Sequence, residues 1–191
     1  MGSFMDYKNV QTLLRGMAQL PGYTLHLLSR LSSEREAELS RVVRESGVPA
    51  DAVVWHRGVS DEEYVELVRG ATALVTLSRS EGYGLPVAEA MAQGTPVVLS
   101  DLEIFREIGG ADGQAARFVP LGPPTPDEET RVGKAWAQRV RELEDPQVFA
   151  DASRAAVRQA AAFSWDRSAR DLVRWAEEIA ARRARRRERT P

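Results

Sequence analysis

Ser78-Arg79-Ser80-Glu81-Gly82-Tyr83-Gly84-Leu85-Pro86-Val87-Ala88-Glu89-Ala90-Met91-Ala92-Gln93-Gly94-Thr95-Pro96-Val97-Val98 decides the fold of this chain. It reads as a strand end, a glycine loop, a helix from Pro86 to Gln93, a stop at Gly94 and a strand from Pro96 to Leu99. Glycines let the backbone turn through positive φ and come close to a ligand. Pro86 suits the first helical position, where a missing N–H costs nothing. The free N–H groups and dipole of that helix end favour an anion, and a phosphate is the natural guest. A bare Gly-x-Gly fits an unliganded turn equally well. Glu81 and Glu89 change the balance, because a carboxylate beside a phosphate repels it. They make sense together if each faces a neutral, hydroxyl-bearing part of one ligand, since ionised carboxylates accept paired hydrogen bonds from vicinal hydroxyls. A nucleoside diphosphate sugar has that layout, with sugar hydroxyls, a diphosphate and a ribose diol in sequence. On spacing alone, Glu89 also reads as a first-turn glutamate serving the dipole.

Working outward, strands and helices alternate about five times. Val10 to Leu20 has helical spacing and stops at Pro21-Gly22. Tyr23 to Leu28 is a strand. Ser33 with Glu36 predicts a capping box for a helix carrying Leu39, Val42 and Val43, closed by Gly47. Ala52 to His56 is a strand, and Ser60 with Glu63 caps a helix carrying Tyr64, Leu67 and Val68. Ala73 to Leu77 is a strand, Ile104 to Ile108 a helix ended by Gly109-Gly110, and Arg117 to Val119 a last strand. The strands are continuous apolar runs, as in parallel sheets covered on both faces. The class is α/β, a Rossmann-like doubly wound parallel sheet. From Leu121 the texture changes. Gly122-Pro123-Pro124-Thr125-Pro126 is a rigid linker. Thr125 caps a helix to about Leu143, Asp145-Pro146 starts another, and Asp166 opens the last after Phe163-Ser164-Trp165.

The bulk numbers bound the partners. A chain of 191 residues with 43% hydrophobic and 28% charged residues is one ordinary domain with an appendage. A net charge of −2 excludes a whole-surface nucleic-acid binder. The absence of cysteine excludes disulfides and thiolate metal sites. No apolar run has the length to span a bilayer and no signal-peptide core opens the chain, so a cytoplasmic location is the default expectation. Asp101-Leu102-Glu103 has metal-like spacing, but a loop after a strand explains it as well. No Ser-His-Asp set and no zinc spacing is present.

Glu81-Gly82-Tyr83-Gly84-Leu85-Pro86, Glu89-Ala90-Met91-Ala92, Gly94 and Pro96-Val97-Val98 together resemble the signature of the large retaining glycosyltransferase family with the GT-B fold, family four in the usual classification. Its hallmark is two glutamates with seven residues between them. The likeness extends to Gly2 through Asn9, Gly58-Val59-Ser60-Asp61-Glu62-Glu63, Glu107-Ile108-Gly109-Gly110 and Phe163-Ser164-Trp165. The resemblance implies roles. Glu81 holds donor-sugar hydroxyls and is the catalytic candidate. Lys8 and the Gly82, Tyr83, Gly84 and Leu85 segment take the donor sugar and phosphates. Glu89 holds the ribose, and His56, Arg57, Gly58 and Val59 lie near the base. No cofactor and no metal is implied. His26, in an apolar strand, is expected to be a satisfied core histidine, and His56 a strand-end histidine.

Some positions depart from the family. An arginine common after the first glycine is Ser3 here, a basic residue before the lysine is Tyr7, and a glycine after the second strand is replaced by Ser29-Arg30. Arg79 is a candidate replacement cation, with a surface arginine as its plainer reading. The match is to the C-terminal, donor-binding half of a GT-B enzyme, beginning at or just past its first strand. In a 3-2-1-4-5-6 order that strand is central, so its loss leaves its neighbours unpaired.

The expected organisation is 1–122 as a nucleotide-sugar-binding core, 123–181 as C-terminal helices facing a missing N-terminal acceptor domain, and 182–191 as a basic tail. The final helix then needs a partner for Leu172, Val173 and Trp175. The tail suits a solvated helix end or a weak peripheral contact with anionic lipid. The leading reading is retaining transfer of a hexosyl group from a nucleoside diphosphate sugar, with this chain supplying the donor half. The alternative is a non-catalytic nucleotide-sugar-binding or partner-binding module. A GT-B nucleotide-sugar epimerase is a third reading. A nicotinamide dehydrogenase is disfavoured, because no Gly-x-Gly-x-x-Gly follows a strand.

Overall fold

A computed structural model describes residues 5–110 and 112–188; the expectations placed on Gly2, Ser3 and Arg189 lie outside them. Two compact units are found, one reaching to Ala160 and one from Ala161. In the first, among the described residues, five short strands alternate with helices, as the apolar runs predict. They are β1 (Leu25–Leu28), β2 (Val53–His56), β3 (Leu74–Thr76), β4 (Val97–Ser100) and β5 (Ala116–Val119). The helices are α1 (Val10–Gly16), α2 (Ser33–Glu45), α3 (Asp61–Gly70), α4 (Leu85–Ala92), α5 (Glu103–Gly109), α6 (Pro126–Arg141) and α7 (Pro146–Ala160).

All strand pairs are parallel, but the strands form two sheets. β1 pairs with β2 with Leu25 opposite Val53, and β4 lies between β3 and β5 with Val98 opposite Val75 and Arg117. No ladder joins β1 to β3 among the described residues. β1 and β3 therefore each keep an unpaired edge, as expected for a doubly wound order without its central strand. All of β4 is buried, and Val97, Val98 and Leu99 are fully so. Each such side chain contributes about 1.5–3 kcal/mol relative to exposure.

One packed cluster covers both sheets. It joins Leu27 of β1, Val53 of β2, Val98 of β4 and Val119 of β5 to Leu14 of α1 and to Val132, Trp136 and Val140 of α6. α1 and α6 approach closely because Gly16 presents no side chain where the Trp136 indole lies. Asn9, at φ 54°, starts α1 in the left-handed region that Asn tolerates better than most residues. The linker reads as expected: Thr125 Oγ1 accepts from Glu128 N, and Pro126 opens α6.

Local cap chemistry corrects two sequence readings. α2 is capped by Ser32, whose Oγ accepts from Arg35 N, and not by Ser33; Glu36 pairs with Arg57 instead of closing a capping box. The Ser60–Glu63 box is present in both directions. In the second unit, α8 (Trp165–Glu188) begins one residue before Asp166, with Ser164 Oγ accepting from Arg167 N. Leu172, Val173 and Trp175 on it are exposed. Among the described residues no helix is long and apolar enough to cross a membrane.

Candidate functional site

The turn from β3 into α4 is built around Gly84. Its φ of 84° and ψ of 39° place it in the left-handed region, and its carbonyl accepts from Val87 N and Ala88 N. Pro86 occupies the second helical position, one later than expected, because Leu85 already has helical geometry. Val87, Ala90 and Met91 bury one face of α4 and fix its direction. The amides of Gly82, Gly84 and Leu85 precede the helix ladder and remain outside it. Tyr83 and Leu85 stand exposed on the turn.

Below this turn runs a chain of polar contacts. Thr76 Oγ1 lies 3.1 Å from Ser78 Oγ, which donates to Glu81 Oε1 at 2.8 Å. Lys8 Nζ donates to the same oxygen at 2.5 Å, with both side chains mostly covered. The Ser78 backbone is pinned from behind by Ser100 Oγ, and the Arg79 amide donates to the Tyr7 carbonyl at 2.7 Å. That last bond brings Lys8 to the mouth of the loop, although 73 residues separate it from Glu81. Arg79 Nη1 donates to the Gly122 carbonyl at 2.7 Å, which ties this side chain to the loop before α6.

A groove of about 1130 Å³ opens beside these groups. It takes in every residue from Tyr23 to Leu28 and from Ala71 to Leu77. Successive strand residues point to opposite faces, so contact with all of them means that the groove meets the edges of β1 and β3, not their faces. Lys8, Glu81, Tyr83, Gly84, Leu85, His56 and Val59 share its wall. Gly82, Glu89, Arg57 and Gly58 stand outside that wall; Arg57 is turned away onto Glu36.

His56 ends β2 as expected, but His26 is exposed and is not a core residue. Its Nδ1 lies 2.9 Å from His56 Nε2, and the rings stack with centroids 5.2 Å apart. Partial desolvation of its ring lowers the His26 pKa, and the neighbouring His56 lowers it further.

The sequence reading took Tyr64 only as part of the apolar face of its helix. In the structure its Oη donates to Glu89 Oε2 at 2.9 Å. Burial, then Glu89, push the Tyr64 phenol well above its usual pKa, so it stays a proton donor. The available signal was chemical: a half-buried tyrosine needs a partner for its hydroxyl. Among the described residues no group of three or more His, Asp or Glu is placed to hold a metal ion.

A family model described as "Glycosyl transferases group 1" matches residues 1–120. The chain is 36% identical over 142 residues to the MMP alpha-(1->4)-mannosyltransferase of Mycolicibacterium hassiacum, covering 68% of this chain and 33% of that protein. It is 32% identical over 172 residues to the D-inositol 3-phosphate glycosyltransferase of Mycolicibacterium smegmatis, covering 86% and 36%. The chain thus spans about a third of the length of the curated relatives it matches. Among solved structures, a sucrose-phosphate synthase from Thermosynechococcus elongatus superposes with a TM-score of 0.74 at 26% identity, over 93% of this chain and 44% of that one. The Anabaena HepE structure in complex with UDP gives a TM-score of 0.74 at 20% identity, over 94% and 48%; it speaks to the fold alone. These neighbours are GT-B glycosyltransferases, and the chain matches a Rossmann-like half of that fold.

Proposed function

The chain belongs to the glycosyl transferases group 1 family, and from that premise we propose that it holds a nucleoside diphosphate sugar as the donor half of a retaining hexosyltransferase. The observation that carries this reading is the Lys8–Glu81 ion pair standing beside the Gly84-capped start of α4. A cation brought in from the start of the chain, a fixed carboxylate and a set of loop amides match the three demands of such a donor: charge on the diphosphate, hydroxyls on the sugar, and a growing negative charge on the leaving group.

In this reading Glu81, fixed by Ser78 and Lys8, accepts from donor-sugar hydroxyls. The amides of Gly82, Gly84 and Leu85 face the diphosphate, and Lys8 moves part of its contact from Glu81 to a phosphate oxygen. The bond from the anomeric carbon to the diphosphate oxygen breaks, and the acceptor oxygen bonds to that carbon on the same face. The acceptor proton passes to the departing phosphate oxygen. Amides that gain strength as charge builds on that oxygen lower the barrier by electrostatic preorganisation. Glu89 takes the ribose diol, and the segment from His56 to Val59 borders the base.

Calorimetry on this chain with UDP, GDP and ADP and with UDP-glucose and GDP-mannose tests the binding claim. One base is expected to bind, the sugar conjugate more tightly than the bare diphosphate, with Glu81→Ala removing that advantage. An unchanged advantage in Glu81→Ala, or no binding at all, overturns the reading. In the complete enzyme Glu81→Ala is expected to abolish transfer, and near-wild-type turnover would sink the catalytic role. A module that binds a nucleotide sugar without turnover is the second reading. It is kept because the chain spans about a third of its relatives' length; binding without transfer or hydrolysis selects it.

A further inference from the structure

Glu89 stands outside the groove wall, and Tyr64 is what ties it to the groove. Tyr64 is the fourth residue of α3, whose start is fixed in register by the two-way Ser60–Glu63 box. That box also occupies the Glu63 carboxylate, next to Tyr64 in the chain. The Tyr64 ring lines the groove, half-buried, and its hydroxyl crosses to α4 to hold Glu89 Oε2 at 2.9 Å. An exposed glutamate on its own samples many rotamers, and fixing such a chain on binding costs affinity. With Oε2 held, Glu89 has lost that freedom before any ligand arrives. Its Oε1 and the remaining lone pair on Oε2 stay available. Two acceptor sites in a fixed plane match two adjacent hydroxyls and match a single hydroxyl poorly.

We propose that Tyr64 is a positioning residue that holds Glu89 to read a vicinal diol, so that this site selects ribonucleoside over 2′-deoxyribonucleoside diphosphates. The proposal rests on the assignment of Glu89 to the ribose and adds the group that makes that contact selective. Since the Tyr64 phenol is held protonated by burial and by Glu89 itself, the contact persists across neutral and mildly alkaline pH.

The test is calorimetry on this chain with UDP, GDP and ADP and their 2′-deoxy counterparts. The proteins are wild type, Tyr64→Phe, Glu89→Ala and the double variant, with thermal unfolding as a check on folding. Wild type is expected to prefer the ribose form of its base by about tenfold or more. Tyr64→Phe keeps the aromatic ring, so the choice of base stays. Its ribose-form affinity falls roughly three- to tenfold, the cost of ordering a freed Glu89 side chain on binding, while the deoxy form changes less. In the Glu89→Ala background Tyr64→Phe is expected to do nothing more.

The failures separate. If Glu89→Ala collapses the ribose preference but Tyr64→Phe leaves it intact, the positioning role falls and the ribose assignment stands. Should Tyr64→Phe weaken both nucleotides equally in both backgrounds, Tyr64 is only a packing contact and the proposal is again overturned. Where Glu89→Ala leaves the preference at the wild-type ratio, the ribose assignment itself is wrong. If no nucleotide binds, the donor reading fails, and this proposal with it.

Discussion

Gly84 and Gly82 flank the same tyrosine, and the structure predicts opposite results for the same substitution. Gly84 sits at φ 84°, where a residue with a Cβ loses about 1–2 kcal/mol. A Cβ there would also lie 3.1 Å from both Phe105 Cε1 and Ile108 Cδ1, two side chains with almost no exposure and little room to withdraw. Crowding of that kind adds about 1–3 kcal/mol. Gly84→Ala should therefore cost about 2–5 kcal/mol. With a urea slope of roughly 2 kcal/mol per M, the unfolding midpoint should fall by about 1–2.5 M with the slope unchanged. Gly82 has no atom within 4 Å of the same construction and is not among the residues at positive φ, so Gly82→Ala should stay within about 0.5 kcal/mol of wild type. Urea titration followed by tryptophan fluorescence measures both. Nucleotide calorimetry on the two variants then separates loss of the turn from obstruction of the groove. A Gly84→Ala midpoint within about 0.3 M of wild type would refute the reasoning, because strain and crowding would both have to be absent.

The same reasoning applies elsewhere. Gly16→Ala would place a Cβ 2.0 Å from the Trp136 Nε1 atom, so α1 and α6 must separate; a loss of about 3 kcal/mol or more is expected, read as a lowered urea midpoint or failure to fold. The Arg131 guanidinium and the Gly122 amide hold the Glu128 carboxyl down to about 2. Its folded pKa lies below its unfolded value near 4.5, so its contribution is complete above that value and disappears as pH falls through about 2. Glu128→Gln should therefore narrow the difference in melting temperature from wild type as pH drops from 5 to 2, and a difference that stays constant would count against the assignment.

Much of this was legible because it is local. The glycine turn, Pro86, the Ser60–Glu63 box and the Thr125–Pro126 start each use side chains within a few residues of the backbone they shape. Where two local partners compete, sequence picks poorly. Ser32 and Ser33 both precede α2, and the difference lies in which one has an extended backbone. At the last helix, which Asp166 was expected to open, Ser164 Oγ makes the bond to the Arg167 amide. Contacts across the fold were less legible. Lys8 lies next to Glu81 because the Arg79 amide holds the Tyr7 carbonyl, a bond with no sequence signature. His26 was expected in the core because its strand is apolar, yet that strand has an open edge and the ring turns to His56. Tyr64 was read as a helix-face residue because its spacing fits one; only the geometry shows where its hydroxyl goes.

The division of the strands into two sheets also bears on cooperativity. Among the described residues no ladder crosses from β1 to β3, so within them side-chain packing carries most of the coupling between the two halves, chiefly that of α1 and α6 over both. Side-chain packing responds to volume, whereas a ladder responds to backbone geometry. Cavities or insertions in α1 should thus loosen the two halves from each other before either one melts. A region joined in this way behaves as two foldons sharing one hinge of packed atoms. The loop carrying Glu81 and Gly84 hangs from one of them, while its Lys8 partner is attached to the hinge.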